Sequence, residues 1–112
     1  MKGANLGEFE ELLLLIVLIL EEEAFVLRIR EELKSQINRN ISMGALHTTL
    51  TRLEKKDFLI SEMGGATQER GGRRKRIYEL TAAGRSALNE VKEMRASLWN
   101  QVPEFTLKFL HV

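Results

Sequence analysis

Cysteine is absent from the 112 residues, so the chain can form no disulfide, no thiol nucleophile and no thiolate metal site. That absence permits a reducing compartment without requiring one. Long apolar runs are missing too: the longest, LLLLIVLIL at residues 12–20, is about half of the roughly 20 residues that span a bilayer. It lies between Glu10 and Glu11 on one side and Glu21, Glu22 and Glu23 on the other, whereas a secretory signal places positive charge before its apolar core. Neither a membrane span nor an export signal is expected, and the cytoplasm is the expected location. Catalytic equipment is equally sparse. The two histidines, His47 and His111, have no nearby carboxylate at ligand spacing, and no G-x-S-x-G or P-loop occurs. No catalytic residue, metal site or cofactor is expected, and the chain does not read as an enzyme. Glu21 to Glu23 read as solvated charges at a helix end, and His47 as a packing or hydrogen-bonding residue rather than a ligand.

What is present is enough for one core. With 44% hydrophobic and 29% charged residues, 112 residues make one compact globular unit. The net charge of +1 conceals a segregation. Residues 1–34 carry four basic and eight acidic side chains, residues 35–85 ten and five, and residues 86–112 three and three. A basic block in mid-chain is what the electrostatic footprint of a polyanion-binding surface looks like.

Hydrophobic periodicity predicts a first helix over residues 8–22 that is apolar around most of its circumference. Phe9, Leu12, Leu13, Ile16, Val17 and Leu20 form one side, widened by Leu14, Leu15, Leu18 and Ile19. So greasy a helix must be covered on nearly every side, and in a chain this short a second copy is the expected cover. A second, amphipathic helix over about residues 24–36 repeats Val26, Ile29 and Leu33, and "INRN" then leads into "IS", expected as a short strand. Ser42 is an N-cap for a third helix, residues 43–56. Leu46, Leu50 and Leu53 share one side of it; Gly44, Thr48, Thr51, Arg52 and Lys55 form the other, without an acid at its centre.

Two β-prone runs, FLISEM at residues 58–63 and RIYEL at 76–80, flank a stretch holding four of the eight glycines, which predicts a hairpin with a long tip. Thr81 caps a last helix over about residues 82–101, with Leu88, Val91, Leu98 and Val102 near the spacing of a helix lying along another, and Pro103, the one proline, ends it. The expected fold is mainly α with a small β-hairpin wing: a winged helix-turn-helix over residues 1–81 and a C-terminal dimerisation helix and tail over 82–112. In this arrangement helix 43–56 enters the major groove of double-stranded DNA. Ser42, Gly44, His47, Thr48, Thr51, Arg52 and Lys55 face it, and Arg70, Arg73, Arg74, Lys75 and Arg76 of a wing at residues 64–76 grip flanking phosphates. The alternative on the same residues is a winged-helix module for protein association without DNA affinity, which leaves the basic hairpin unexplained.

Four stretches resemble the PadR family of transcriptional regulators: GEFEELLLLIVL and EEAFVLRIREEL, the helix SMGALHTTLTRLEKK, and ERGGRRKRIYELTAAGRSAL with its Y-x-L-T-x-x-G exit at Tyr78, Leu80, Thr81 and Gly84. The resemblance runs from about Gly7 to Arg95 and is to the type with a single short C-terminal helix. It implies a cytoplasmic homodimer that binds an inverted-repeat operator and usually represses. The first and last helices then supply the dimer contact through Phe9, Leu12, Leu13, Ile16, Leu88, Val91, Leu98, Trp99 and Val102. Some members bind aromatic compounds between their subunits; Trp99 is placed to line such a pocket, although packing in the dimer core is the expectation for it. Three positions depart from the family pattern: His47 replaces a usual tyrosine, Val26 follows Phe25 where glycine is common, and Asp57 stands where glycine often closes the third helix.

Overall fold

The computed structural model describes residues 6–64 and 74–104. Helix α1 (Glu8–Leu20) gives way to one tighter turn over Glu21–Glu23, followed by α2 (Val26–Ile37), α3 (Met43–Lys55), strands β1 (Leu59–Met63) and β2 (Arg76–Leu80), and α4 (Ala82–Asn100). The strands pair antiparallel with Leu59 opposite Leu80 and Met63 opposite Arg76. This is the winged helix expected from the sequence.

Helix ends fall where backbone chemistry directs them. The Ser42 hydroxyl accepts from the Ala45 N–H (3.1 Å), relieving one of the unpaired donors at the start of α3. At the other end of α3, Asp57 adopts φ 66°. Its N–H reaches the Glu54 carbonyl, and the Phe58 N–H reaches that of Leu53, which closes the helix with the double bond pattern that a left-handed residue allows. Asn38 ends α2 in the same left-handed conformation at φ 56°, its N–H reaching the Lys34 carbonyl and the Arg39 N–H that of Leu33. Thr81 fastens α4 to the hairpin: its hydroxyl donates to the Asp57 carbonyl (2.6 Å) and accepts from the Gly84 N–H (2.9 Å). Gly84 lies so close to the Phe58 backbone that a Cβ there would collide with the Phe58 carbonyl oxygen. The threonine and glycine of the Y-x-L-T-x-x-G stretch therefore have a packing reason.

Two expectations are corrected. Ile41 and Ser42 form no strand: Ile41 packs against the core, its carbonyl accepts from Arg30 Nε (2.8 Å), and Ser42 is occupied as the cap. The extra edge contact of the hairpin comes instead from residues 24 and 25. Phe25 bridges to Ile77, and the Tyr78 N–H donates to the Ala24 carbonyl (2.9 Å). Because these two residues are spent on the hairpin edge and Phe25 is extended, α2 begins at Val26, two residues later than its periodicity suggests.

The core gathers Leu13, Leu14, Ile29, Leu33, Leu46, Leu50, Leu53 and Leu59, all fully buried, with Tyr78, Leu80 and Leu88 closing it beside the wing and α4. Burying such a side chain contributes about 1.5–3 kcal/mol, so this set accounts for most of the drive to assemble the three helices and the hairpin. The α1 side of the core uses more of the helix than a single stripe, which leaves Leu15 and Ile19 exposed and Leu18 half-buried. Only the first half of α4 is held: Gly84, Ala87, Leu88 and Val91 are buried, whereas every residue from Lys92 to Asn100 is exposed, with Leu98 at 59% and Trp99 at 56%. No helix among the described residues is long and apolar enough to cross a membrane.

Candidate nucleic-acid interface

Helix α3 divides cleanly. Leu46, Thr49, Leu50 and Leu53 face inward, and the Thr49 hydroxyl is spent on the Ala45 carbonyl (3.0 Å). Ser42, Gly44, His47, Thr48, Thr51, Arg52 and Lys55 are all exposed. His47, Thr48, Thr51, Arg52 and Lys55 line one shallow depression of about 450 Å³. A Cβ added at Gly44 would meet nothing within 4 Å, so the glycine leaves the surface low near the start of the helix. Threonine hydroxyls and methyls, an imidazole and two cations on one exposed face can address base edges and phosphates together.

Arg52 is not a free reader. Its Nε donates to Glu10 Oε2 (2.9 Å), and the side chain is half exposed, so only part of the guanidinium is turned outward. Glu10 is one of two buried polar residues among those described, 5% exposed, and it also accepts from Lys56 Nζ (2.8 and 3.0 Å) and from the Gly7 N–H (2.8 Å). Burial alone would raise its pKa; the hydrogen bonds from Gly7, Lys56 and Arg52 outweigh that and bring it down to about 2. Neither Glu10 nor Lys56 stands out in the sequence. Glu10 figures there only as a charge flanking the apolar run, and the only local signal is its spacing from Gly7, the half of a capping box in which a carboxylate reaches back to the N-cap N–H.

The wing is sorted by face. On the side turned to α3, Arg76 Nη1 donates to the Ser61 hydroxyl (3.1 Å), which in turn donates to Glu54 (2.6 Å). On the opposite side Glu62 and Glu79, with Glu21 and Glu22, line a separate cavity at the end of α1. Arg74 and Arg76 are exposed, as a phosphate-gripping role requires. Lys75 differs: it is half-buried, with its ammonium 4.0 Å from the centre of the Phe25 ring, so a cation–π contact holds it against the start of α2. Arg70 and Arg73 lie outside the described residues.

The expected dimer residues separate into two groups. Leu13, Ile16 and Leu88 belong to the chain's own core, and Val91 is likewise buried within the single chain. Phe9, Leu12 and Val102 are half-buried, and Leu98 and Trp99 are open. The apolar side chains of α1 that do face outward are Leu15 and Ile19. Between α1 and α4 runs a groove of about 620 Å³ lined by Leu15, Leu18, Leu88, Ala96 and Trp99, and across it Arg95 makes a two-pronged bond to Glu11 (2.7 and 3.1 Å).

Among the described residues no three histidine, aspartate or glutamate side chains are grouped to hold a metal. No curated protein matches the chain. The transcriptional regulator PadR-like family matches residues 14–90. Of solved structures, the chain is similar to a PadR-like transcription factor from Bacteroides fragilis, at 30% identity over 88% of each chain and a TM-score of 0.62. Two more share the fold at lower identity. A PadR family transcription regulator from Clostridium difficile R20291 is 23% identical over 91% of this chain and 98% of that one, TM-score 0.60. A PadR-like transcriptional regulator from Bacillus cereus ATCC 14579 is 19% identical over 88% and 89%, TM-score 0.64. The exposed face of α3 and the basic arm beside it are thus set in a chain that belongs to the PadR-like family of transcriptional regulators, DNA-binding proteins rather than enzymes.

Proposed function

We propose that the protein is a sequence-specific repressor that acts in the cytoplasm as a homodimer on an inverted-repeat operator, with α3 in the major groove and the wing on flanking phosphates. The observation that carries this reading is the outer face of α3, where His47, Thr48, Thr51, Arg52 and Lys55 are exposed together with no acid among them. Arg74 and Arg76 extend the same positive surface onto the wing, while Glu62 and Glu79 take the other side of the hairpin. Support for the dimer is the unburied end of α4, where Leu98 and Trp99 are exposed above the groove shared with α1. Trp99 packs in that dimer contact or, as the alternative for the same residue, lines a pocket for an aromatic effector between the subunits.

The test is a gel shift of the protein on the DNA upstream of its own coding sequence, beside an unrelated duplex of equal length. Preferential binding to the upstream duplex is expected. With six to eight phosphate contacts per dimer, affinity falls about a thousandfold or more between 50 and 200 mM salt. Equal binding to both duplexes, or insensitivity to salt, would remove the basis of the proposal.

A further inference from the structure

The first turn of α1 distributes its three carboxylates to three elements. Glu8 accepts from Arg39 Nη2 (2.9 and 3.0 Å) in the turn before α3, Glu11 holds Arg95 of α4, and Glu10 grips α3 itself. The grip of Glu10 differs in kind from the other two. Glu8 pairs at the surface, where an ion pair contributes little, whereas Glu10 is buried and its oxygens receive Arg52, on the last turn of α3, and Lys56, the residue that caps that turn four positions on. Two donors one turn apart, held by one carboxylate, constrain both the roll of α3 about its axis and its shift along it. An apolar contact would fill that space at least as favourably, because a buried ion cluster is an expensive way to gain stability. What the cluster adds is direction.

We propose that Glu10 is a positioning residue for DNA reading: by holding Arg52 and Lys56 from beneath, it sets the roll of α3 and hence the angle at which Thr48 and Thr51 meet the bases. This inference rests on the reading of α3 as the recognition helix. Readers must be held within about half an ångström of the productive geometry by the residues behind them, and here Glu10 supplies that support. The same contact takes Arg52 Nε out of play, so Arg52 serves as a strut with one outward edge, and the choice of sequence falls to the threonines.

The experiment begins with wild-type protein and a pool of random duplexes. The enriched duplex and a scrambled one of the same composition are then bound to wild type, Glu10→Gln and Lys56→Gln. Lys56 lies just past the last turn of α3, and its side chain is mostly buried, so its replacement removes no residue of the reading face. In each variant the preference for the enriched duplex over the scrambled one is expected to fall by about tenfold, the size of a single mismatched base pair. Binding to the scrambled duplex should stay within about twofold or tighten for Glu10→Gln, which uncovers positive charge, and stay within about twofold or weaken slightly for Lys56→Gln, which removes one positive charge. Circular dichroism melting reports whether each variant is folded. Glu10→Gln decides if it folds, and Lys56→Gln decides if it does not; a folded deciding variant that keeps the wild-type preference within about twofold overturns the inference and leaves the DNA-binding reading intact. A wild-type protein that enriches no sequence overturns both.

Discussion

Glu10 keeps its charge inside the protein because the Gly7 N–H, Arg52 and Lys56 all donate to it. A carboxyl whose pKa falls from its ordinary 4.5 to about 2 on folding adds stability that is fully present above pH 4.5 and is lost as the pH drops toward 2. The charge-dependent part is about 3 kcal/mol. Urea unfolding of wild type and Glu10→Gln should therefore differ by a constant amount from pH 5 to 8, and the difference should shrink between pH 4.5 and 2; a gap that does not change with pH would mean that Glu10 is not held as a carboxylate. Gly84 is sensitive for a steric reason. The atom that a Cβ would strike is a backbone oxygen, which cannot move aside as a side-chain tip can, so Gly84→Ala should cost about 2–3 kcal/mol or more in the same assay. Of these two residues, Gly84 is legible in the sequence as part of Y-x-L-T-x-x-G, although its reason is not. Glu10 is illegible, because its partners lie 42 and 46 residues away.

The elements themselves follow from local signals. Ser42 and Thr81 cap where the sequence places caps, and both hairpin strands lie where β-prone runs flank a glycine-rich stretch, because capping and alternation act within a few residues. The end of α3 shows what a local signal costs when it is not ideal: Asp57 holds a left-handed conformation that glycine adopts without strain. Asp57→Gly should raise the unfolding free energy by about 1 kcal/mol, since the Thr81 hydroxyl bonds to the backbone carbonyl there and needs no side chain. A loss of stability would assign the Asp57 carboxylate a role that its geometry does not suggest. Between α3 and the wing the division of labour is measurable. Thr48→Ala and Thr51→Ala should change which sequences are preferred, whereas Arg74→Ala and Arg76→Ala should weaken binding to all sequences and flatten the salt slope by about one for each phosphate that the dimer no longer neutralises. Lys75, held on Phe25, should contribute less than either arginine. That distinction within the basic run is invisible in sequence, where Arg74, Lys75 and Arg76 look equivalent.

In the whole molecule, the far end of α4 is left without cover by the described residues. Leu98 and Trp99 are more than half exposed, and Leu15 and Ile19 of α1 are exposed as well, so a monomer leaves apolar surface in water on both helices of the groove. Sedimentation of the 12.9 kDa chain should give a dimer, and Leu98→Glu should shift it toward monomer at micromolar concentration without altering the melting of the winged helix. A wild-type monomer at high concentration would exclude the homodimer. Read alone, the sequence determined the order of the four helices and the hairpin, the caps at Ser42 and Thr81, the basic run beside the hairpin and the family, because periodicity and capping are properties of neighbouring residues. Only the tertiary structure decided which sides of α1 are spent within the chain, that residues 24 and 25 meet the edge of the hairpin, and that Glu10 holds α3 from below. Each of these depends on how elements remote in the chain dock. Docking is governed by shape and by the partners available for buried charge, and neither is written in any short stretch of residues.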